Sequence, residues 1–453
     1  MKKSFTSFLI GCFVGSAAMA QEVINDQSYD VTDLTYTQLA DMNYTHMAMQ
    51  IFWSGNDIVV NGGHSSGFIT SAESEIYANG VWTKLEDSHS THDNGSWVTL
   101  PDGRTIIAGG HNGSWGTGGG TSVAEMYTPA TRTFTQLPDL NDGRAIFNGV
   151  LVGDRAYFVG DYWQQYWYGE PASIEYWNGE SFTKLDTKLS FSTISPYLMP
   201  KSDNSGFLVV YHNISGATST YNADRVSVAD NSVTPISIPL LSEWIPIAPY
   251  SYVNENTNGA GNGRYVITCL SSTDNNVCAV VMVDADEETA EVITVLPSSF
   301  VGKNGETLKG GPCGDIMVDR NAQNAYVIYM DKKDEGCMYS IVTIDLQKRA
   351  ISEVSYAMLP TSAYDGGFLM MPDGKIFVAG GSDSSSNFDA TNKSYLITPC
   401  QGIVLGISNA QKTRLTTAKE RVYNVGGQVV GQHGRGLNII RHADGTVTKK
   451  MVR

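Results

Sequence analysis

The sequence repeats a unit of four short β-strands, and residues 95–137 form its best-preserved copy. In this copy Pro101-Asp102-Gly103 supplies a turn after the first strand, and the second strand ends at the pair Gly109-Gly110. Proline, aspartate and glycine favour turn backbone, whereas β-branched and aromatic residues favour strands. A closed all-β array of such units accommodates most of the 453 residues in one domain.

The second strands count the repeated units. Each is a short run of β-branched and aromatic residues, and the clearest copies end in a double glycine. Seven such strands occur, at residues 57–63, 104–110, 155–161, 206–212, 264–270, 324–330 and 375–381. Seven units predict an all-β, seven-bladed β-propeller.

A motif of an aromatic residue, threonine, a polar residue and leucine marks the fourth strands. It occurs at residues 36–39, 82–85, 134–137 and 182–185. The copy at 36–39 precedes any first strand, and the last unit ends after its third strand, at Pro399-Cys400. We therefore expect the N-terminal segment to supply the fourth strand of the last blade, which closes the ring and leaves no free sheet edge.

These features resemble those of kelch-repeat β-propellers. The marks of that family are the double glycine, an aromatic residue in the third strand and another that opens the fourth. The aromatic residues are Tyr77, Tyr127 and Tyr176 in third strands, and Trp82, Phe134 and Phe182 in fourth strands. The resemblance implies the fold and leaves the function open, because the family includes galactose oxidase, sialic-acid epimerases and adhesion modules. The copper and cysteine–tyrosine pattern of galactose oxidase does not map onto this sequence, so oxidase chemistry is not expected.

The first twenty residues have the pattern of a secretory signal peptide. Lys2 and Lys3 form a charged start, residues 8–14 an apolar core, and Ala18-Met19-Ala20 a cleavage site. A competing interpretation is a lipoprotein signal, since Leu9-Ile10-Gly11-Cys12 has the lipobox pattern. No later run reaches the roughly eighteen apolar residues of a membrane-spanning helix. We expect a secreted, cell-surface or periplasmic protein.

The C-terminal tail differs from the repeats. Residues 401–453 contain short strands separated by glycine turns and end in a basic strand. The tail resembles the C-terminal sorting segments of secreted proteins in Bacteroidetes-type bacteria; the alternative is a small β appendage packed on the propeller. The predicted division is a signal peptide at 1–20, a propeller at 21–400 and a tail at 401–453.

The cysteines suggest structural or free thiols. A two-residue turn at Thr273-Asp274 would place Cys269 opposite Cys278 on a hairpin, where a disulfide can form. Cys313 and Cys337 are a second candidate pair, and Cys400 is left over. No CxxC spacing indicates zinc.

Histidines cluster at two positions of the repeated unit. In an antiparallel blade, the second-to-third loop and the connection between blades open on the same side. The residues just after the second strand are His64, His111, Asp161, His212 and Ser382. The residues before the first strand are His46, His92, Arg144 and Ala363. We expect the histidines and Arg144 to converge at one end of the central channel.

Such a group of side chains suits sugar chemistry. An imidazole acts as a base near neutral pH, so His46, His92 and His111 are the candidate catalytic residues. Arg144 offers a bidentate fork for a carboxylate, which favours an acidic sugar. The alternative is structural, because kelch repeats often carry Arg or His before the first strand for hydrogen bonds between blades. No H-x-H or H-E-x-x-H spacing occurs, so no cofactor is predicted; the alternative is a metal bound by neutral imidazoles.

Aromatic residues accompany the histidines on the same predicted face. Trp115 lies in a glycine-rich loop, and residues 162–168 hold five aromatic rings, including Tyr162 and Trp163. Flat rings stack on the apolar faces of sugars. The candidate substrate-binding residues are therefore Trp115, Tyr162 and Trp163, together with His64, Arg144, Asp161 and His212.

Two functions remain open. One is a carbohydrate-active propeller, and the other is a non-catalytic adhesion module that binds glycan or protein. The net charge of −16 argues against nucleic acid or an anionic membrane as the main partner. We expect a monomer.

Overall fold

The protein is a seven-bladed β-propeller. The computed structural model describes residues 29–113, 119–160, 169–212, 221–247, 258–311, 316–382 and 389–400, and the backbone of four short strands in the C-terminal tail. Each blade is an antiparallel sheet of four strands in sequential order, with additions to blades five and six. This architecture confirms the predicted fold class and the number of units.

The two inner strands of each blade follow the predicted positions. The first strands, in chain order, are Gln50–Ser54, Ser96–Thr99, Asn148–Val152, Tyr197–Pro200, Trp244–Pro246, Ile316–Val318 and Gly367–Met370. The second strands are Asp57–Asn61, Thr105–Ala108, Arg155–Val159, Gly206–Val210, Arg264–Ser271, Asn324–Lys333 and Ile376–Ala379.

The two outer strands complete each blade. The third strands are Ser74–Ala78, Ala124–Thr128, Ile174–Trp177, Ala223–Ser227, Cys278–Asp284, Gly336–Asp345 and Ser394–Thr398. The fourth strands of blades one to six are Val81–Lys84, Thr133–Gln136, Phe182–Lys184, Val233–Ile236, Thr289–Leu296 and Ala350–Leu359.

A few short elements lie outside this scheme. Strand Gly259–Gly261 adds to blade five, Ser299–Val301 pairs with Thr307–Lys309, and a small hairpin pairs His64–Ser65 with Ile69–Thr70. A helix of four residues spans Leu240–Glu243. Among the described residues, no helix has the length and apolar character needed to cross a membrane.

The N-terminal segment closes the ring. Strand Thr35–Gln38 lies antiparallel to Ser394–Thr398 as the fourth strand of blade seven, as predicted. The preceding strand, Asp30–Asp33, was not predicted; it lies parallel to Ala350–Leu359 on the outer edge of blade six. Its four residues carry no apolar alternation, so no local pattern indicates a strand. Between the two strands, Leu34 is buried among residues of blades six and seven. The N-terminal segment therefore joins two blades.

The apolar core lies between blades. Cys269 packs in the cluster between blades four and five, and Cys278 in the cluster between blades five and six. The cluster around Tyr127 and Phe377 joins blades one, two and seven. Each blade buries both faces in this way, so its stability depends on its two neighbours.

The predicted Cys269–Cys278 disulfide is wrong. Cys269 pairs in register with Ala279, and Cys278 pairs with Leu270, so the two thiols point to opposite faces of the blade. The turn is longer than expected: Ser271 N–H donates to the Val277 carbonyl. That shift of one residue separates the cysteines. Cys337 and Cys400 are also free, buried thiols, and Cys313 lies outside the described residues.

Tyr176 lies in the third strand of blade three as predicted, but the neighbouring Trp177 makes the pair with the fourth strand. In blade two Tyr127 pairs with Phe134, and their ring centroids are 5.2 Å apart. The equivalent pair in blade three is Trp177 with Phe182, at 5.1 Å, and Tyr176 is the preceding residue. The aromatic pair itself is retained.

The C-terminal tail forms a small sheet of its own. Its strands are Arg421–Tyr423, Val429–Val430, Gly436–Arg441 and Val447–Val452, all paired antiparallel. This confirms the predicted C-terminal β segment. Residues 1–28, which include the predicted signal peptide and Cys12, lie outside the described residues.

The closing strand generates a test of the fold. Leu39 N–H donates to the Ser394 carbonyl, and in an antiparallel ladder the alternate residue, Thr37, donates in the same way. Thr37→Pro removes that donor, and we expect it to lower the free energy of unfolding by roughly 3 kcal/mol. The Thr37 side chain is exposed, so Thr37→Ala is a matched control with an expected change below about 0.5 kcal/mol. Urea denaturation of the full chain measures the stability of both variants. Equal stabilities of Thr37→Pro and Thr37→Ala would contradict closure of the ring by this strand.

Candidate functional site

The two predicted loop positions meet within blades one, two and seven. Met47 pairs with His64 across an isolated bridge, Asp93 pairs with His111, and Tyr364 pairs with Ser382. In each pair, the first residue belongs to the connection before a first strand and the second follows a second strand. The shared face predicted from strand direction is therefore present.

Glycine is required where these loops cross. The second glycines of two pairs, Gly63 and Gly110, have φ values of 86° and 102°. A Cβ atom on Gly63 would lie 2.1 Å from the Met47 carbonyl oxygen. The N–H of Gly110 donates to the Arg144 carbonyl in the next blade, at 2.8 Å. The double glycine thus lets second-strand ends contact the loops.

His46 and His92 are buried in the scaffold. His92 Nδ1 lies 2.7 Å from the Gly109 carbonyl oxygen, and its Nε2 lies 3.0 Å from Oε1 of Glu125 in the third strand. His46 repeats this in blade one, with Nδ1 2.9 Å from the Gly62 oxygen and Nε2 3.3 Å from Glu75. Each ring nitrogen faces an acceptor within the same blade, which argues against the catalytic roles predicted for both histidines.

Arg144 fills the same position in blade three. Its Nη2 lies 2.6 Å from Glu175 Oε1, and its Nη1 donates to the Gly160 and Ser173 carbonyls. The guanidinium is 1% exposed. Its charge is thus paired inside the blade, which argues against the predicted contact with a substrate carboxylate.

A third-strand glutamate organises each of these three clusters. Glu125 accepts the backbone N–H groups of His89 and Ser90, at 3.0 and 2.9 Å. Glu75 accepts those of Asn43 and Tyr44 in the same way. In blade three Glu175 accepts the N–H groups of Asn141 and Asp142. The buried carboxylates thus hold the connections between blades.

These glutamates were missed by the sequence reasoning, although a signal exists. Glu75, Glu125 and Glu175 each stand two residues before the third-strand aromatic residue. A charged residue at one fixed position of buried strands is unusual, because charges are rarely buried without partners.

Burial and hydrogen bonding compete at Glu125. Burial alone would raise its pKa, but the hydrogen bond and charge of His92, together with the N–H donors of the loop, lower it to about 2. For Glu75 burial likewise acts upward, and hydrogen bonds from His46 and Asn43 outweigh it, so its pKa is also lowered. Both groups therefore remain ionised at neutral pH.

His64 has a different kind of partner. Its Nδ1 lies 2.7 Å from Oδ1 of Asp93, which belongs to the neighbouring blade, and both side chains are buried. Asn94 Nδ2 donates to the same oxygen, at 2.8 Å. His111 contributes to the cluster through its backbone, since its N–H donates to the Asp93 carbonyl. The structure thus brings His64, Asp93 and His111 together.

The backbone around Asp93 is unusual among the equivalent loops. Ala48, Ile146, Ser195 and Asp365 have positive φ values, and in blade two Asn94 occupies that position with φ 58°. His92 adds a second positive φ, of 45°, on the other side of Asp93. Left-handed backbone at residues other than glycine carries strain, which clusters at functional sites.

His212 lies two blades further on. Its Nε2 hydrogen bonds to the Ile194 carbonyl, and burial lowers the pKa of the imidazole, although that hydrogen bond acts in the opposite direction. The other predicted site residues, Trp115, Asp161, Tyr162 and Trp163, lie outside the described residues. Their roles remain predictions.

Comparisons with known proteins support the fold. No protein-family model and no curated protein matches this chain. Among solved structures the chain is similar to a fungal alcohol oxidase of the AA5 family in complex with copper. The identity is 12%, the TM-score is 0.53, and the match covers 81% of this chain and 76% of the other. At this identity the similarity shows the fold alone.

In the described part of the chain, no three His, Cys, Asp or Glu side chains lie together as metal ligands. His212 Nε2 is hydrogen bonded to a carbonyl, whereas the contact of His64 Nδ1 with Asp93 leaves the Nε2 atom of that ring open.

The buried glutamates generate a pH-dependent prediction. The pKa of Glu125 is lowered in the folded state from 4.5 to about 2, so its stabilising contribution is complete above about pH 4.5 and is lost as the pH falls toward 2. We expect Glu125→Gln to lower the free energy of unfolding by roughly 3 kcal/mol at pH 7. The difference in the free energy of unfolding between this variant and the wild type should become smaller as the pH falls from 4.5 to 2.

Urea denaturation at a series of pH values measures this difference. Glu180→Gln is the control, because Glu180 is exposed at a turn. A deficit of Glu125→Gln that stays constant down to pH 2 would show that the carboxylate charge is not what holds the loop.

Proposed function

We propose that this protein is a secreted or cell-surface propeller that binds carbohydrate at the channel mouth on the histidine face. The observation that carries the proposal is the buried His64–Asp93 pair beside His111. Sugar recognition requires hydrogen-bonding groups held in fixed positions, and these lie on loops fixed by the scaffold. Residues 162–168 follow the second strand of blade three in the sequence, and we propose that their aromatic rings stack on the bound sugar.

Binding is favoured over catalysis by His46 or His92. Both rings are buried against acceptors of their own blades, so neither is placed to exchange a proton with a ligand. Arg144 is paired with Glu175, which removes the main reason to expect an acidic sugar.

A second candidate function is catalysis by His64. A carboxylate that accepts from Nδ1 orients an imidazole so that Nε2 takes a proton, as in base–orienter pairs of hydrolases. The His64–Asp93 contact of 2.7 Å has that form. In this function, a hydroxyl group of the bound sugar is the proton donor.

Binding to oligosaccharides tests the proposal. We expect the mature chain to bind members of an oligosaccharide panel in calorimetry, and Trp163→Ala to weaken binding roughly ten-fold through loss of stacking. Trp53→Ala is a matched control, because Trp53 lies near the end of the first strand of blade one, away from the loop that precedes this strand, and packs against Arg320. Absence of binding across the panel, or equal affinities of both variants, would contradict it.

Localisation is tested by the N-terminus of the exported protein. We propose cleavage of a signal peptide after Ala20, so protein recovered outside the cytoplasm should begin at Gln21. Sequencing of its N-terminus by mass spectrometry measures this. A lipid-modified Cys12 at the mature N-terminus would instead establish the lipoprotein alternative.

A further inference from the structure

Two buried atoms of the His64–Asp93 pair have no hydrogen-bond partner. They are Nε2 of His64 and Oδ2 of Asp93, and no described residue contacts either through a hydrogen bond. The residues are 2% and 0% exposed. A buried polar atom without a partner costs roughly 1–3 kcal/mol, so such atoms in native proteins are few.

The chemistry of the pair makes both atoms acceptors. An ionised carboxylate only accepts, so the proton in the contact of 2.7 Å belongs to His64 Nδ1. In a neutral imidazole protonated at Nδ1, Nε2 presents a lone pair. Asn94 donates to Oδ1 and leaves Oδ2 open. Within the described residues, His64 Nε2 and Asp93 Oδ2 are therefore two acceptors without a donor.

The contrast with the scaffold carboxylates supports a ligand site. Both oxygens of Glu125 accept backbone N–H groups or imidazole nitrogens of the chain itself. Asp93 lies one residue from His92 in the same connection, yet one of its oxygens stays without a donor among the described residues, and His92 has a positive φ that the equivalent residues of the other blades lack. Stability alone does not explain this arrangement.

We infer that the His64–Asp93 pair binds two neighbouring hydroxyl groups of a neutral sugar. This inference rests on the proposed carbohydrate binding and names the class of ligand. The two acceptors are His64 Nε2 and Asp93 Oδ2. Two hydroxyl groups of one sugar can donate to them. The Asp93 charge repels carboxylate or sulfate groups, and the nearby Arg144 is already paired with Glu175. The sugar is therefore neutral, in contrast to the acidic sugar expected from the sequence.

Phe68 covers the site. Its ring centroid is 5.2 Å from that of His64, and it lies at the tip of the small hairpin between His64–Ser65 and Ile69–Thr70. Ser66 in the same tip accepts the N–H of Ala390 from blade seven, at 2.9 Å. We infer that the Phe68 ring shields His64, and we therefore expect Phe68→Ala to bind the same sugar with faster association.

Matched neutral and acidic ligands test the inference. Calorimetry of the mature chain is carried out with neutral oligosaccharides and with counterparts in which uronic acids replace the neutral sugars. We expect at least roughly ten-fold tighter binding of the neutral members, and roughly ten-fold weaker neutral binding by Asp93→Asn. Because Asn94 donates to Oδ1, the amide oxygen of that variant stays beside His64 Nδ1 and its NH2 group replaces the Oδ2 acceptor. The charge is also removed, so the preference for neutral ligands should shrink.

His89→Gln is the matched control. His89 also makes a contact of 2.7 Å from Nδ1 to a carboxylate, Glu125, but its ring is 53% exposed. We expect the His89→Gln variant to bind neutral oligosaccharides more tightly than acidic ones, as the wild type does. Nitrogen-15 NMR of the wild-type imidazoles gives an independent readout: His64 should be protonated at Nδ1, and its Nε2 resonance should shift when sugar binds.

The outcomes separate the two proposals. If no oligosaccharide binds the wild type, the proposed function is wrong and the inference falls with it. Preferred binding of acidic ligands, neutral binding unchanged in Asp93→Asn, or a His64 protonated at Nε2 would each overturn the inference while leaving carbohydrate binding intact.

Discussion

A buried carboxylate in the third strand is the interaction on which blades one to three depend. It receives backbone N–H groups from the connection between blades, together with a ring or guanidinium N–H from the residue before the first strand. The residues that carry these backbone N–H groups are exposed or half-buried, whereas the glutamate side chain itself is buried. The carboxylate therefore ties the connection between blades to the interior of the blade that it enters. The carboxylate also holds the residue before the first strand. In blade two that residue is His92, and the next residue in the chain is Asp93.

The fold was predictable because its signals are local and repeated. The double glycine, the aromatic pair and the strand-length apolar runs recur in the copies, so errors in one copy are corrected by the others. Even the ring closure follows from one such motif, at residues 36–39. The strand Asp30–Asp33 was missed because it occurs once and contacts residues more than 300 positions away in the chain.

Register was less predictable than the existence of strands. A shift of one residue in the turn after Ser271 moved Cys269 and Cys278 to opposite faces, which replaced a disulfide by two buried thiols. In blade three the aromatic residue that pairs with Phe182 is likewise Trp177, one residue after Tyr176. Turn length depends on contacts that no short pattern records, so a prediction based on facing residues is more fragile than one based on strands.

The histidines show where reasoning from repeats ends. His46, His64, His92 and His111 were grouped because they share a face, and they do; yet two serve the scaffold and one pairs with Asp93. The repeated unit describes what the blades have in common, and that common part is structural. The site arises where one blade departs from its neighbours.

That departure is readable in the sequence once the equivalent positions are known. The residues that follow His46, His92, Arg144, Thr193 and Ala363 are Met47, Asp93, Ala145, Ile194 and Tyr364, and Asp93 is the one acid among them. Its partner comes from the blade before it, so aligning single repeats does not reveal the pair. In a propeller, a side chain after the second strand of one blade faces the loop that begins the next. Candidate sites are therefore sought between successive copies rather than within one, and a charged residue where other copies carry uncharged residues is the signal that distinguishes them.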